Sequence, residues 1–255
     1  MLKARVLPCL LLKNRGLVKT TGFRDPVYVG DPINAVRIFN EKEVDELVFL
    51  DITATVERKE PPLQVIAEIA GECFMPLCYG GGIRSIEQIR EILGLGVEKV
   101  AINSAAAQDP SLISRAAREF GSQSIVVSMD VRKSLLGKRQ VATFGATKSL
   151  GIDPVSYAQR MEAAGAGELM VTSIERDGTM KGYDLDLVRA VVDAVSIPVI
   201  ACGGAGSVAD LAAVVGEAGA SGAAAGAMFV FHGKHRAVLI SYPSRAEIEA
   251  ALGEA

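Results

Sequence analysis

Apolar residues gather in eight short runs, near 5–11, 46–52, 75–79, 98–103, 124–130, 168–174, 197–202 and 221–226. Most are nearly continuous rather than alternating, as expected of strands covered on both faces. Between them lie amphipathic stretches with helix-start signals. Asp31-Pro32, Asp109-Pro110 and Asp153-Pro154 each place an N-cap acid before a proline at the first helical position. Ser85 with Gln88, and Ser244 with Glu247, read as capping boxes. Eight strands alternating with helices over 255 residues match an α/β (β/α)8 TIM barrel. A doubly wound open sheet is the rival.

An internal repeat favours the barrel. Glu46–Asp51 aligns with Glu168–Ser173, and Pro76–Gly82 with Pro198–Gly204, at a common offset of 122 residues. Two fused half-barrels, about 1–121 and 122–255, explain that symmetry, and an open sheet does not. No linker-like stretch divides the halves, so one domain over 1–255 is expected.

Composition narrows the function. Hydrophobic residues are 49% and charged residues 22%, which excludes a disordered chain. Aromatics are 5% and Trp is absent, so the core is aliphatic. The net charge is −3 with no basic run, so no nucleic-acid partner is expected. The four cysteines (Cys9, Cys73, Cys78, Cys202) lack metal-binding spacing and there are two His, so neither metal nor cofactor is expected. Arg5 and Pro8 interrupt any leader-like run, and no apolar stretch is long enough to span a bilayer. A cytoplasmic protein with free thiols follows.

Two glycine turns suggest anion sites. Gly80-Gly81-Gly82 follows the third strand and Gly203-Gly204 the seventh, each opening a helix. Glycine allows close backbone approach, and a helix start offers free N–H donors. On opposite sides of a barrel mouth, they imply an elongated ligand with a phosphate at each end. Tight turns alone would be the plainer reading. Asp177, Gly178 and Thr179 after the sixth strand could serve the second cradle, and Asn103 and Ser104 the first; Asn103 could equally be a strand-end cap.

Asp130 ends the fifth strand, where barrel enzymes place acid–base groups. Asp51 ends the second and could act similarly or anchor its loop. Aligning 6–11 with 125–130 puts Leu11 opposite Asp130, so a mechanism needing two facing carboxylates is one short. Below, Arg5, Glu46, Lys99 and Glu168 open four strands with a parity consistent with all four pointing into the barrel floor. Salt-bridged under an apolar lumen, they would gate a small neutral molecule; as rim charges they would only add stability.

These motifs together resemble the cyclase subunit of imidazole glycerol phosphate synthase (HisF). The likeness rests on PCL (8–10), ELVFLDITA (46–54), GGGIRS (80–85), NSAA (103–106), FGSQ (120–123), RDGT (176–179) and GGAG (203–206), in order along the whole chain. It implies a barrel docked by its floor on a HisH-like glutaminase, with ammonia entering through a charged gate and reaching a phosphorylated acceptor. On that likeness Arg5, Glu46, Lys99 and Glu168 are gate residues, Asp45 and Glu98 docking residues, and Lys19, Asp51, Asn103, Asp130, Thr172 and Asp177 site residues. Leu11 departs from it, standing where a second ring-closing aspartate belongs. Cys78 and Cys202 replace more usual hydroxyl residues. Stretches 7–20 and 228–240 look closer to the WbuZ-type HisF paralogues of glycosyl amidation, which accompany an N-acetyl-sugar amidotransferase. Three functions follow as expectations: ammonia supply for sugar amidation with weakened ring closure, a working synthase in histidine biosynthesis, or a scaffold that activates a glutaminase. The basic segment Phe231–Arg236 reads as a solvated helix start beside the mouth, or as a contact for a phosphate or partner.

Overall fold

The computed structural model describes residues 4–134 and 136–253. Eight parallel strands close into a barrel: β1 (Arg5–Lys13), β2 (Leu47–Asp51), β3 (Leu77–Gly80), β4 (Lys99–Ile102), β5 (Ile125–Lys133), β6 (Glu168–Ser173), β7 (Val199–Cys202) and β8 (Gly222–Ala225). Each pairs in parallel with the next, and β8 pairs with β1. Closure leaves no unpaired barrel edge and excludes the open sheet. Around it lie α1 (Pro32–Glu41), α2 (Leu63–Glu72), α3 (Ile86–Gly94), α4 (Ser111–Phe120), α5 (Pro154–Ala163), α6 (Leu185–Val192), α7 (Val208–Gly216) and α8 (Arg245–Leu252).

The helix starts follow the capping chemistry with two differences. Asp31 and Asp153 accept the N–H of Asn34 and Ser156, both at 3.0 Å, and Ser244 and Glu247 form a capping box. The Ser85 box is half built: Ser85 accepts from Gln88 N, but the Gln88 side chain takes the N–H of Arg84 at 2.8 Å. At α4, Asp109 accepts from Ser111 N, and Pro110 is already helical at φ −59° and ψ −21°.

The half-barrel repeat is written into the register. Cys9 and Leu11 of β1 face Val48 and Leu50 of β2. In the second half, Ser128 and Asp130 of β5 face Met170 and Thr172 of β6. Val48 and Met170, like Leu50 and Thr172, differ by the repeat offset, so Leu11 and Asp130 hold equivalent places. The same symmetry recurs below, where Leu47 N donates to Pro76 O and Leu169 N to Pro198 O, both at 2.9 Å.

Antiparallel additions lie beyond the eight predicted strands. A hairpin of Gly16–Thr21 and Arg24–Gly30 extends β1. An arm of Arg139–Thr143 pairs with β5 and carries the short strand Lys148–Ser149. After β8, Phe231–His232 pairs with Ala237–Val238, so Phe231–Arg236 forms a hairpin and not a helix start. Phe231 is buried there, with the Arg236 guanidinium 4.5 Å above its ring, and that packing holds the segment extended.

Burial divides into two layers. One large cluster fills the space between the barrel wall and the helices. A second, inner cluster lines the lumen with Leu7, Cys9, Val48, Cys78, Ala101, Val126, Met170, Ile200, Cys202 and Ala224. Strand alternation explains the division, because every second residue faces the axis.

Candidate active site

The mouth of the barrel holds a cavity of about 580 Å³, at the end of the strands where barrel active sites form. Its lining brings together Leu11, Lys19, Asp51, Gly81, Gly82, Asn103, Ser104, Asp130, Thr172, Asp177, Gly178, Gly203 and Gly204. Thr179 lies outside the lining: its hydroxyl donates to Arg176 O at 2.7 Å, closing its own turn.

Asp130 is a buried carboxyl of this cavity. Burial pushes its pKa up to about 7; the hydrogen bond from Asn103 opposes the shift and the charge of Asp177 adds to it. Asn103 Nδ2 donates to Asp130 Oδ2 at 2.8 Å, so Asn103 orients the carboxyl rather than merely ending β4. A group with that pKa can both accept and return a proton near neutral pH. On the equivalent strand Leu11 also lines the cavity, and it has no proton to offer.

The other two aspartates are committed elsewhere. Asp51 Oδ1 accepts Thr53 N at 2.8 Å, Thr53 Oγ1 at 2.8 Å and Ala54 N at 3.0 Å. That is an Asx turn, so Asp51 anchors the loop that follows β2. Asp177 is buried and takes Lys19 Nζ at 2.7 Å and Thr20 Oγ1 at 3.0 Å, while its carbonyl takes Gly22 N at 2.9 Å. These bonds latch the β1 hairpin onto the turn after β6. They also give the buried Lys19 ammonium the counter-charge it needs.

The two glycine turns are matched in detail. Gly81 has φ +117°, and a Cβ there would land on the Asp51 carbonyl. Gly203 has φ +87°, and a Cβ there would meet the Ser173 carbonyl at 2.8 Å. Asp51 and Ser173 are themselves repeat equivalents, so both turns press their backbone against the end of the preceding strand. Both turns line the cavity, and in the first of them Gly82 N donates to Thr55 Oγ1 at 3.2 Å. Ser104, nearly buried, accepts Phe144 N at 3.0 Å.

At the floor the four charges form a closed ring. Arg5 pairs with Glu46 and Glu168, and Lys99 Nζ reaches Glu46 at 2.9 Å and Glu168 at 3.1 Å. Both carboxylates are buried, and Glu46 Oε1 has no hydrogen-bond partner among the described residues. Directly above stands the apolar lumen, where burial holds the Cys78 thiol well above its ordinary pKa and therefore uncharged. Asp45 and Glu98 accept the N–H of Val6 and of Leu77, at 2.9 and 2.7 Å, tying down strand starts on the same face.

Several lining residues were not singled out from the sequence: Thr20 and Phe23 on the hairpin, Arg58 and Lys59 after β2, Arg84 after β3, and Phe144 on the arm. All but Arg84 lie on excursions beyond the barrel strands; Arg84 follows the glycine turn in sequence and could have been found there. Among the described residues, no group of three or more His, Cys, Asp or Glu is placed to hold a metal ion, and no helix is long and apolar enough to cross a membrane.

Residues 5–236 match the family described as "Histidine biosynthesis protein". A Pseudomonas aeruginosa protein provisionally named imidazole glycerol phosphate synthase subunit hisF2 is 58% identical over 243 residues, covering 95% of this chain and 97% of its own. A similarly provisional hisF3 subunit of Vibrio vulnificus is 49% identical over 253 residues, covering 99% and 97%. The imidazole glycerol phosphate synthase subunit HisF of Alkaliphilus metalliredigens is 43% identical over 232 residues, covering 91% and 92%. With a closed (β/α)8 barrel and a family match over nearly its full length, the chain belongs to the histidine biosynthesis protein family and is a HisF-like subunit.

Proposed function

We propose that this chain is the ammonia-using partner of a HisH-like glutaminase and that its own ring-closing activity is weakened. Ammonia released by the glutaminase, docked near Asp45 and Glu98, passes the Arg5–Glu46–Lys99–Glu168 ring and the lumen to the mouth. Charges at the floor repel or hold ions, and the apolar wall above passes a small neutral molecule. Two opposed glycine cradles suit a phosphorylated ligand. The observation that carries the proposal is the register equivalence of Leu11 and Asp130, which leaves one acid–base group where two-sided proton transfer needs a pair. A missing general acid or base typically costs roughly 10²–10⁴ in rate. The nitrogen then serves another acceptor, an N-acetyl sugar in cytoplasmic steps of surface-polysaccharide biosynthesis, through an N-acetyl-sugar amidotransferase. The branch-like stretches 7–20 and 228–240 support that destination.

Reconstitution tests it. Glutaminase, this chain and the amidotransferase are mixed with glutamine and the sugar acceptor, and amidated sugar is measured. The reading expects glutamine-driven amidation to require this chain, and Lys99→Ala to lower sugar product per glutamine hydrolysed. Amidation indifferent to Lys99 would reduce the chain to a scaffold. Efficient imidazole formation in place of amidation would make it a working synthase.

A further inference from the structure

The tip of the arm after β5 is held in an unusual shape. Phe144, Gly145 and Ala146 have φ of +55°, +61° and +65°, three successive left-handed residues of which two carry side chains. Such a turn persists only where its surroundings over-determine it. Four hydrogen bonds do so. Thr147 N and Oγ1 donate to Phe144 O at 3.2 and 2.7 Å, and Arg132 Nη1 donates to Ala146 O at 3.3 Å. These three lie within β5 and its arm. The fourth, Phe144 N to Ser104 Oγ at 3.0 Å, reaches across to the residue that follows Asn103 beyond β4, beside the first glycine cradle.

Ser104, Phe144 and Gly145 line the same cavity. As acceptor of the Phe144 N–H, the Ser104 hydroxyl still has its own hydrogen to give. Across the mouth, the tip touches the loop that presents Arg58 and Lys59, since a Cβ on Gly145 would lie 3.3 Å from Val56 Cγ2. The two loops therefore approach each other at the cavity that the first glycine turn also lines. The second half lacks this device: the repeat equivalent of Ser104 is Gly226, which has no side chain.

We infer that Ser104 is a positioning residue that couples occupancy of the first cradle to the pose of the Phe144–Ala146 turn. Its hydroxyl gives its hydrogen to a phosphoryl oxygen in the cradle and becomes a better acceptor for the Phe144 N–H, because hydrogen bonds in a chain reinforce one another. An occupied cradle therefore tightens the strained turn against the Val56 loop, and an empty one leaves the bond from Phe144 N to Ser104 Oγ unreinforced. The inference rests on the proposed reading that this cradle takes a phosphoryl group.

Hydrogen exchange of the full chain, with and without inorganic phosphate, separates the two ideas. Phosphate should slow amides in 80–85, which reports on the cradle. It should also slow those in 144–147 by up to roughly threefold, since reinforcing a bond adds only part of what a whole one is worth. In Ser104→Ala the cradle amides should still respond while 144–147 exchange faster and ignore phosphate; Ser104→Thr should restore the coupling. A wild-type response at 80–85 without one at 144–147 overturns the inference and leaves the cradle reading intact. So does an unchanged 144–147 response in Ser104→Ala. Phosphate that protects neither segment overturns both.

Discussion

The two half-barrels share a plan and diverge in what they can do with a proton. Both begin with a nine-residue strand that runs past the barrel into antiparallel structure, and both end a later strand in a glycine turn pressed against a carbonyl. In the second half the long strand delivers Asp130, buried, oriented by Asn103 and poised near pH 7. In the first half the same place holds Leu11, beside Leu50, and two charged groups of the mouth are spent on structure, Asp51 on an Asx turn and Lys19 on Asp177. The two halves thus keep one register while placing Leu at the lining position of one and Asp at that of the other.

The comparison can be broken most decisively by restoring it. Leu11→Asp should raise ammonium-driven imidazole formation from the family's bis-phosphate substrate by roughly 10²–10⁴-fold, measured as initial rate. No gain would mean that the halves differ in more than this carboxyl. The floor ring comes next in size. Glu46→Ala leaves Arg5 and Lys99 sharing one carboxylate, and because both cations are partly exposed, the cost should be about 2–3 kcal/mol, below that of a fully buried pair. Urea unfolding measures it as a lowered midpoint.

Asp130→Asn sharpens the second-half assignment through pH. A carboxyl whose folded pKa lies above its unfolded value binds more protons when folded. Its presence therefore erodes stability as pH rises from about 4 to about 7, and the loss is complete above that range. The Asn variant should lose this slope and melt higher than wild type at pH 8, with little difference at pH 4. A wild-type stability flat between those values would refute the raised pKa. The smallest effect concerns the first-half hairpin: Thr20→Val removes one of the bonds to Asp177 and should cost about 1 kcal/mol, read as faster exchange of the Gly22 amide.

Much of this architecture was legible from the chain alone. Strand runs, proline-led helix starts and the repeated 46–51 and 76–82 motifs are local signals, and they report the barrel because each barrel unit is itself local. Strand parity was consistent with Arg5, Glu46, Lys99 and Glu168 facing the floor but left them equally readable as rim charges, and the repeat alignment set Leu11 opposite Asp130. What escaped depends on contacts distant in sequence. Nothing near Lys19 announces Asp177 as its partner, and nothing near Ser104 announces Phe144. The hydroxyl of Thr179 turned inward to Arg176 O because a tight turn satisfied it first, and Phe231 drew its segment into a hairpin by burying its ring. Charged residues Arg58 and Lys59 reach the mouth only because the loop after β2 folds back over it.

The central claim is that the mouth has one working carboxyl where ring closure needs two. The most direct measurement is the turnover of the unmodified chain with the bis-phosphate substrate and saturating ammonium, which bypasses any glutaminase. Against the roughly 10 s⁻¹ of an ordinary enzyme, loss of one acid–base group predicts about 0.1 s⁻¹ or less. Turnover near the ordinary value, with Leu11 in place, would contradict the account.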